Sequence, residues 1–225
     1  MGIPVLIYGK SGSGKSRSLK NFAEDEILFV NVEGKLLPFR KKFKYVLDDP
    51  RYANNVFSII QQIHKMPCKV AVIDDAGYLM THHFMDNHKA KKGNASFEMY
   101  DTIADTMYQL VKRIKDDIED DKIVYIMMHE DTDDYGSTKL RTIGKLIDNK
   151  VCLEGMVTIC IRCMSDGGKH FFRVQTNGMD ITKTPEDMFS TSEVENDLKL
   201  VDTTIREYYG INNESEDVTN DSEME

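Results

Sequence analysis

Apolar residues gather along this chain in short unbroken runs separated by stretches of helical spacing. Pro4 to Tyr8 (PVLIY), Ile27 to Val32 (ILFVNV), Val70 to Ile73 (VAVI) and Ile123 to Met128 (IVYIMM) are each four to six residues long and rich in β-branched or aromatic side chains, so all four are predicted strands. Between them, Asn54 to His64 places Val56, Ile59, Ile60 and Ile63 on one helical face, and Phe97 to Ile118 steps its apolar positions Ile103, Met107, Leu110, Val111 and Ile114 by one, three and four. A helix is also predicted over Lys15 to Ala23. Continuous apolar strands alternating with helices imply an α/β fold, a mainly parallel central sheet covered by helices on both faces. The pattern then changes. Met156 to Cys163 and His170 to Thr176 flank Ser165-Asp-Gly-Gly-Lys169 and predict a C-terminal antiparallel hairpin, and Thr191 to Tyr209 is predicted to close the domain as a helix.

Composition adds limits rather than structure. The chain has 225 residues, 40% of them hydrophobic and 30% charged, enough for one domain with a substantial core. The longest uninterrupted apolar run, Ile123 to Met128, is six residues, far short of the roughly 20 needed to cross a bilayer. With no leader pattern and four scattered cysteines, the expectation is a reduced, cytoplasmic protein without a membrane partner. The net charge of −9 is unevenly spread: Asn212 to Glu225 carries Glu214, Glu216, Asp217, Asp221, Glu223 and Glu225 and no Lys or Arg. Residues 1–211 therefore read as the domain and 212–225 as a disordered acidic tail, leaving a body that is nearly neutral.

The most specific motif is Gly9-Lys10-Ser11-Gly12-Ser13-Gly14-Lys15-Ser16, which fits G-x-x-x-x-G-K-[ST] at every fixed position and lies between a predicted strand and a predicted helix. Glycines let successive backbone N–H groups face inward on a phosphate, and the helix is expected to add its positive end. Lys15 reaches the β- and γ-phosphates, the Ser16 hydroxyl binds Mg²⁺, and Arg17 continues the nucleotide contact. Val70 to Asp75 brings two carboxylates to the end of a buried strand. Asp74 is the magnesium residue by position. Glu33 follows the second strand directly, where the carboxyl ends of parallel strands line a ligand crevice, and is the candidate base for an attacking water, with Asp75 as its rival. His129 and Glu130 end the fourth strand and are candidate γ-phosphate sensors.

These stretches in this order, together with Thr142-Ile-Gly-Lys-Leu-Ile147 and Asn177-Gly-Met-Asp-Ile-Thr-Lys-Thr-Pro185, resemble RecA-like P-loop ATPases. More specifically, they resemble phage nucleotide-binding proteins of the AAA-domain type, related to phage RecA-like single-strand annealing proteins. The resemblance spans about residues 3 to 189. It implies ATP and Mg²⁺ as cofactors, a homo-oligomer with its site near a subunit boundary, and Glu33 as the catalytic glutamate. His129-Glu130 stands where a RecA-like protein has Asn-Gln, a departure from the pattern. Lys183 stands where such proteins can offer a lysine to the neighbour's γ-phosphate; the alternative is a solvated turn lysine before Pro185. The resemblance also places single-stranded DNA at two connections. Asp86 to Ser96 carries Lys89, Lys91 and Lys92. Asp131 to Arg141 carries Tyr135, Lys139 and Arg141, alongside the acids Asp131, Asp133 and Asp134. Each is otherwise an ordinary solvated connection.

Other clusters take plainer readings. Arg40-Lys-Lys-Phe-Lys44 is a solvated basic face. Cys160 and Cys163 sit three apart in a strand and so point to opposite faces rather than to one metal. His82, His83, Asp86 and His88 belong to a polar loop. The resemblance thus implies an ATPase acting on single-stranded DNA in phage recombination or replication, with a recombinase or single-strand-binding protein as a further partner. The alternative is a nucleotide-dependent switch or scaffold that binds a protein and hydrolyses little.

Overall fold

The computed structural model describes residues 1–48, 54–90 and 93–211. Its core is a sheet with nine strands among those residues: β1 (Ile3–Gly9), β2 (Ile27–Asn31), β3 (Tyr45–Leu47), β4 (Val70–Asp74), β5 (Ile123–Thr132), β6 (Thr138–Leu140), β7 (Ile159–Asp166), β8 (Lys169–Arg173) and β9 (Glu193–Glu195). The spatial order is β3-β2-β4-β5-β1-β7-β8-β9. From β3 to β7 every neighbouring pair is parallel. β8 and β9 then add antiparallel, and β6 folds back antiparallel on the end of β5.

Among the described residues four α-helices cover the sheet: α1 (Val56–Lys65), α2 (Tyr78–Asn87), α3 (Asn94–Asp117) and α4 (Leu198–Tyr209). Along β1, Leu6 and Tyr8 join the cluster under α1 and α3, while Val5 and Ile7 join the cluster under α4. Both faces of the central strands are therefore apolar, which is why those runs are continuous rather than alternating. α4 is tied down by polar bonds inside the core: the buried Tyr125 hydroxyl donates to Asp202 Oδ1 (2.8 Å), and Arg206 Nε donates to Asp202 Oδ2 (2.7 Å). Asn55 caps α1 by accepting from the Ser58 N–H, and Asp197 caps α4 by accepting from Lys199 and Leu200 N–H. Among the described residues no helix is long and apolar enough to cross a membrane.

Several elements differ from the pattern-based expectation. The helix expected over Lys15 to Ala23 is a six-residue 3-10 helix, Ser16–Asn21, that ends in extended Phe22. It has little more than Leu19 to bury before Phe22 turns inward, so nothing sustains further turns. The expected connection from Asp86 to Ser96 is shortened from both sides, because α2 runs to Asn87 and α3 starts at Asn94. His82, His83 and Asp86 consequently lie on a helix rather than in a loop, with His88 at its C-cap. Asp131 to Arg141 is a β-hairpin, not an irregular loop. The span Thr191 to Tyr209 splits into β9 and α4, with Asp197 starting the helix. Residues 91–92 and the acidic stretch 212–225 lie outside the described residues.

Candidate nucleotide site

β1 delivers the glycine-rich loop to the carboxyl edge of the parallel sheet, between β5 and β7. Gly12 (φ 77°) and Gly14 (φ 108°) take left-handed backbone conformations that a side chain would strain. At Gly9 a Cβ would stand 2.2 Å from the Cys163 carbonyl, so β1 could not pass β7 with any larger residue there. Lys15 is buried and donates to the carbonyls of Gly9 (2.9 Å) and Lys10 (3.1 Å), which folds its side chain back across the loop. Burial draws its ammonium below the ordinary value, opposed by the nearby acidic groups, Asp75 and Asp74 among them. Only a 3-10 turn follows the loop, so the cradle rests on loop backbone and on Lys15 rather than on the end of a long helix.

Asp74 closes β4 with a hydrogen bond from the Ser16 hydroxyl to its Oδ2 (2.8 Å). Its other oxygen, Oδ1, is buried without a hydrogen-bond partner. Burial and the adjacent Asp75 charge raise this carboxyl to about 6. An acceptor-only oxygen left unmatched beside a serine hydroxyl fits a hard, hydrated cation, so Ser16 and Asp74 suit Mg²⁺. Asp75 holds a left-handed conformation (φ 56°) that turns its side chain the other way. It accepts from Lys35 Nζ (2.6 Å) and pairs with His129 Nε2 (3.2 Å). Burial acts to raise its pKa, but these two partners outweigh burial and hold it at about 2.

His129 links the two halves of the site. Its Nε2 faces Asp75, and its Nδ1 lies 3.5 Å from Lys15 Nζ. With Nε2 donating to a carboxylate, Nδ1 of the neutral ring is the acceptor for the lysine. Glu130 goes elsewhere: both of its oxygens accept from Arg162 of β7 (2.9 and 3.0 Å), in a buried pair continued by Asp180 and Arg173. Glu33 is placed beyond β2 by a turn in which the Asn31 amide and Lys35 backbone bond each other reciprocally. Its carboxylate meets His82 Nε2 of α2 (3.0 Å), and His82 Nδ1 meets Asn54 Oδ1 (2.9 Å). The structure thus gathers Lys15, Ser16, Asp74, Asp75 and His129 into one constellation, while Glu33 and Glu130 each hold a separate partner.

A cleft of about 470 Å³ opens beside this constellation, lined among others by Lys10, Ser11, Lys35, His129, Glu130 and Arg141. Tyr135 stands at the tip of the β5–β6 hairpin, 89% exposed, with Lys139 and Arg141 on the returning arm. Lys89 follows α2; Lys91 and Lys92 are outside the described residues. Lys183 exchanges two backbone hydrogen bonds with Cys160, opposite Leu6 of β1, so it lies alongside the middle of the sheet rather than at the loop. In the Arg40 to Lys44 cluster, Lys41 donates to the carbonyls of Lys20 and Phe22. Cys160 and Cys163 fall in opposite core clusters, and no metal-binding group of His, Cys, Asp and Glu occurs among the described residues.

A family model described as an AAA domain matches residues 1–189. The chain belongs to the AAA-domain family. No curated protein matches it. The matched span covers the loop, β4, β5 and the β7–β8 hairpin and stops short of β9 and α4, so the AAA domain as matched holds the constellation around Lys15. Family membership makes nucleotide binding the general chemistry of the domain. Three partners of the candidate site residues carry no role in the motifs: Lys35 beside Asp75, His82 beside Glu33 and Arg162 beside Glu130. In sequence Lys35 is an ordinary polar residue after Gly34, and His82 reads as part of a polar loop where the structure has α2. Arg162 did leave a signal, since a guanidinium inside the buried run Ile159 to Cys163 requires a buried acid.

Proposed function

We propose that this AAA domain is a magnesium-dependent, RecA-like ATPase that works on single-stranded DNA, as a homo-oligomer, in recombination or replication in the cytoplasm of a phage host. The observation that carries the ATPase reading is the shared arrangement of Lys15, the Ser16–Asp74 pair with its unmatched Oδ1, and His129 bridging Asp75 to Lys15. Gly9 to Arg17 would wrap the phosphates, with Lys15 at the β- and γ-positions. Mg²⁺ held by Ser16 and Asp74 would neutralise charge on the phosphates. Glu33 accepts the proton of the attacking water once its carboxylate leaves His82, and Asp75 fixes His129 against Lys15. In the assembled oligomer Lys183 reaches a neighbour's γ-phosphate. Lys89, Lys91, Lys92, Lys139 and Arg141 contact DNA phosphates while exposed Tyr135 stacks on a base, and a recombinase or single-strand-binding protein is a suitable partner.

Nucleotide binding by wild type, Lys15→Ala and Asp74→Asn, with ATPase rates measured with and without single-stranded oligonucleotide, tests this reading. Lys15→Ala should lose tight ATP binding, Asp74→Asn should lose magnesium-dependent turnover, and the oligonucleotide should accelerate the wild type. Unchanged affinity in Lys15→Ala would remove the reading at its base. The Glu33–His82 bond favours a second reading, a nucleotide-dependent switch that binds a protein partner and hydrolyses little. Glu33→Gln separates the two. An ATPase loses turnover and keeps ATP, whereas a switch has almost no turnover to lose.

A further inference from the structure

The two sides of the glycine-rich loop differ in chemistry. Toward β4 and β5 lie Asp74, Asp75 and His129. Toward β7 and β8 the loop meets His170 and Asn196. His170 Nδ1 donates to the Ser13 carbonyl (2.8 Å), and Arg17, just past the loop, donates to Asn196 Oδ1 (3.1 Å). The His170 ring lies so close that a Cβ on Gly14 would stand 2.8 Å from its Nδ1. A triphosphate whose terminal phosphate meets Lys15 on the β5 side, and which runs along the loop toward Arg17, carries its nucleoside to the His170 side.

His170 has the chemistry for that end. A carbonyl can only accept, so the bond to Ser13 fixes the proton of the neutral ring on Nδ1 and leaves Nε2 as an acceptor. Among the described residues Nε2 has no hydrogen-bond partner. The ring lines a pocket of about 540 Å³ whose other polar walls include Asp166, Glu193 and Glu195, with Lys169 as a cation. Such a lining repels a second phosphate and suits neutral groups that donate hydrogen bonds.

We infer that His170 reads the nucleoside of the bound triphosphate, its Nε2 accepting a hydrogen bond from a donor on that nucleoside, either the ribose 2′-hydroxyl or the exocyclic amine of adenine. This deepens the ATPase reading and rests on its assignment of the phosphate loop. His170 is a specificity residue, and it also steadies Ser13.

Binding of magnesium tripolyphosphate, ATP, 2′-deoxy-ATP and inosine triphosphate to full-length wild type, His170→Asn and His170→Phe tests the inference. Asn retains a donor for the Ser13 carbonyl and removes Nε2; Phe removes both. The expected result for His170→Asn is a loss of roughly 3- to 10-fold in ATP affinity, the scale of one hydrogen bond, with tripolyphosphate unchanged. The wild-type analogue that already lacks this increment names the donor: 2′-deoxy-ATP points to the ribose, inosine triphosphate to the amine. His170→Phe separates the two roles of the ring by weakening tripolyphosphate as well. Equal ATP affinity in wild type and His170→Asn, with tripolyphosphate bound by both, overturns the His170 assignment alone. So does a parallel loss of both ligands in His170→Asn. Wild-type protein that binds neither ligand overturns the phosphate-loop reading, and this inference with it.

Discussion

Asp75 is the residue whose backbone and side chain are both committed to the site. A left-handed conformation is costly for most residues but tolerated by Asp and Asn, and here it turns the carboxylate between Lys35 and His129. Its neighbour Asp74, one peptide bond away, faces Ser16. Adjacent carboxylates therefore sit in opposite electrostatic settings, one raised to about 6 and the other held at about 2, which suits one to a cation and the other to fixing a histidine. Asp75→Asn keeps the backbone preference and removes the charge. We expect it to melt within a few degrees of wild type while turnover falls about 10- to 100-fold, the worth of a charge-assisted hydrogen bond, because His129 is no longer held against Lys15. Thermal melts and steady-state ATPase rates check this, and wild-type turnover in Asp75→Asn would detach His129 from the reaction.

Among the elements, β5 and β7 carry the site's mechanical support. Both flank β1, and the Glu130–Arg162 pair spans the two above the Tyr8 position, with Asp180 and Arg173 extending it. Glu130 is 5% exposed, so this is an ion pair largely out of water. Removing Glu130 leaves Arg162 with only its longer contact to Asp180 (3.6 Å), and Glu130→Ala should cost about 3–5 kcal/mol of stability. The double variant Glu130→Met, Arg162→Met should regain part of that loss, since it removes both members of the pair and leaves Asp180 facing Arg173 alone. Urea denaturation of the wild type and both variants measures it. A double variant no more stable than Glu130→Ala would show that the pair is not the cause. Arg162 also explains how a charged residue stands within β7, whose apolar neighbours alternate between two core clusters.

The whole molecule is electrostatically divided between a nearly neutral body and an acidic C-terminal stretch of six carboxylates with no basic residue. If those carboxylates compete with DNA phosphates for the lysines of the body, truncation after Ile211 tightens binding of single-stranded oligonucleotide. The gain should be largest at low salt and shrink as the Debye length falls from about 30 Å at 0.01 M to about 10 Å at 0.1 M. A salt series of oligonucleotide affinities, with and without residues 212–225, decides the matter, and equal affinities at low salt would end the competition model. The same series on Lys139 and Arg141 variants tests whether the β5–β6 hairpin lies in the path of the nucleic acid.

Local pattern was enough for β1, β2, β4 and β5, the long helix α3 and the glycine-rich loop, because each follows from neighbours in sequence: a strand buried on both faces must be apolar throughout, a helix on a sheet must repeat its apolar positions, and a phosphate loop must carry glycine where the backbone turns left-handed. The pairing of Ser16 with Asp74 was legible for the same reason, since the motif and the strand-end acid fix each other's chemistry. What the chain folds around those pieces was decided in three dimensions. Helix length after the loop depended on how much apolar surface the turn could bury, and the three-residue strands β3 and β9 depended on the edges offered by β2 and β8. The partners of Glu33, Asp75, Glu130 and His170 are His82, His129, Arg162 and the Ser13 carbonyl. They lie between 32 and 157 positions apart. A side chain's charge and hydrogen-bonding capacity are local properties, but which group satisfies them is set by the packing of distant elements, so the sequence supplied the reactive groups and only the tertiary structure assigned their partners.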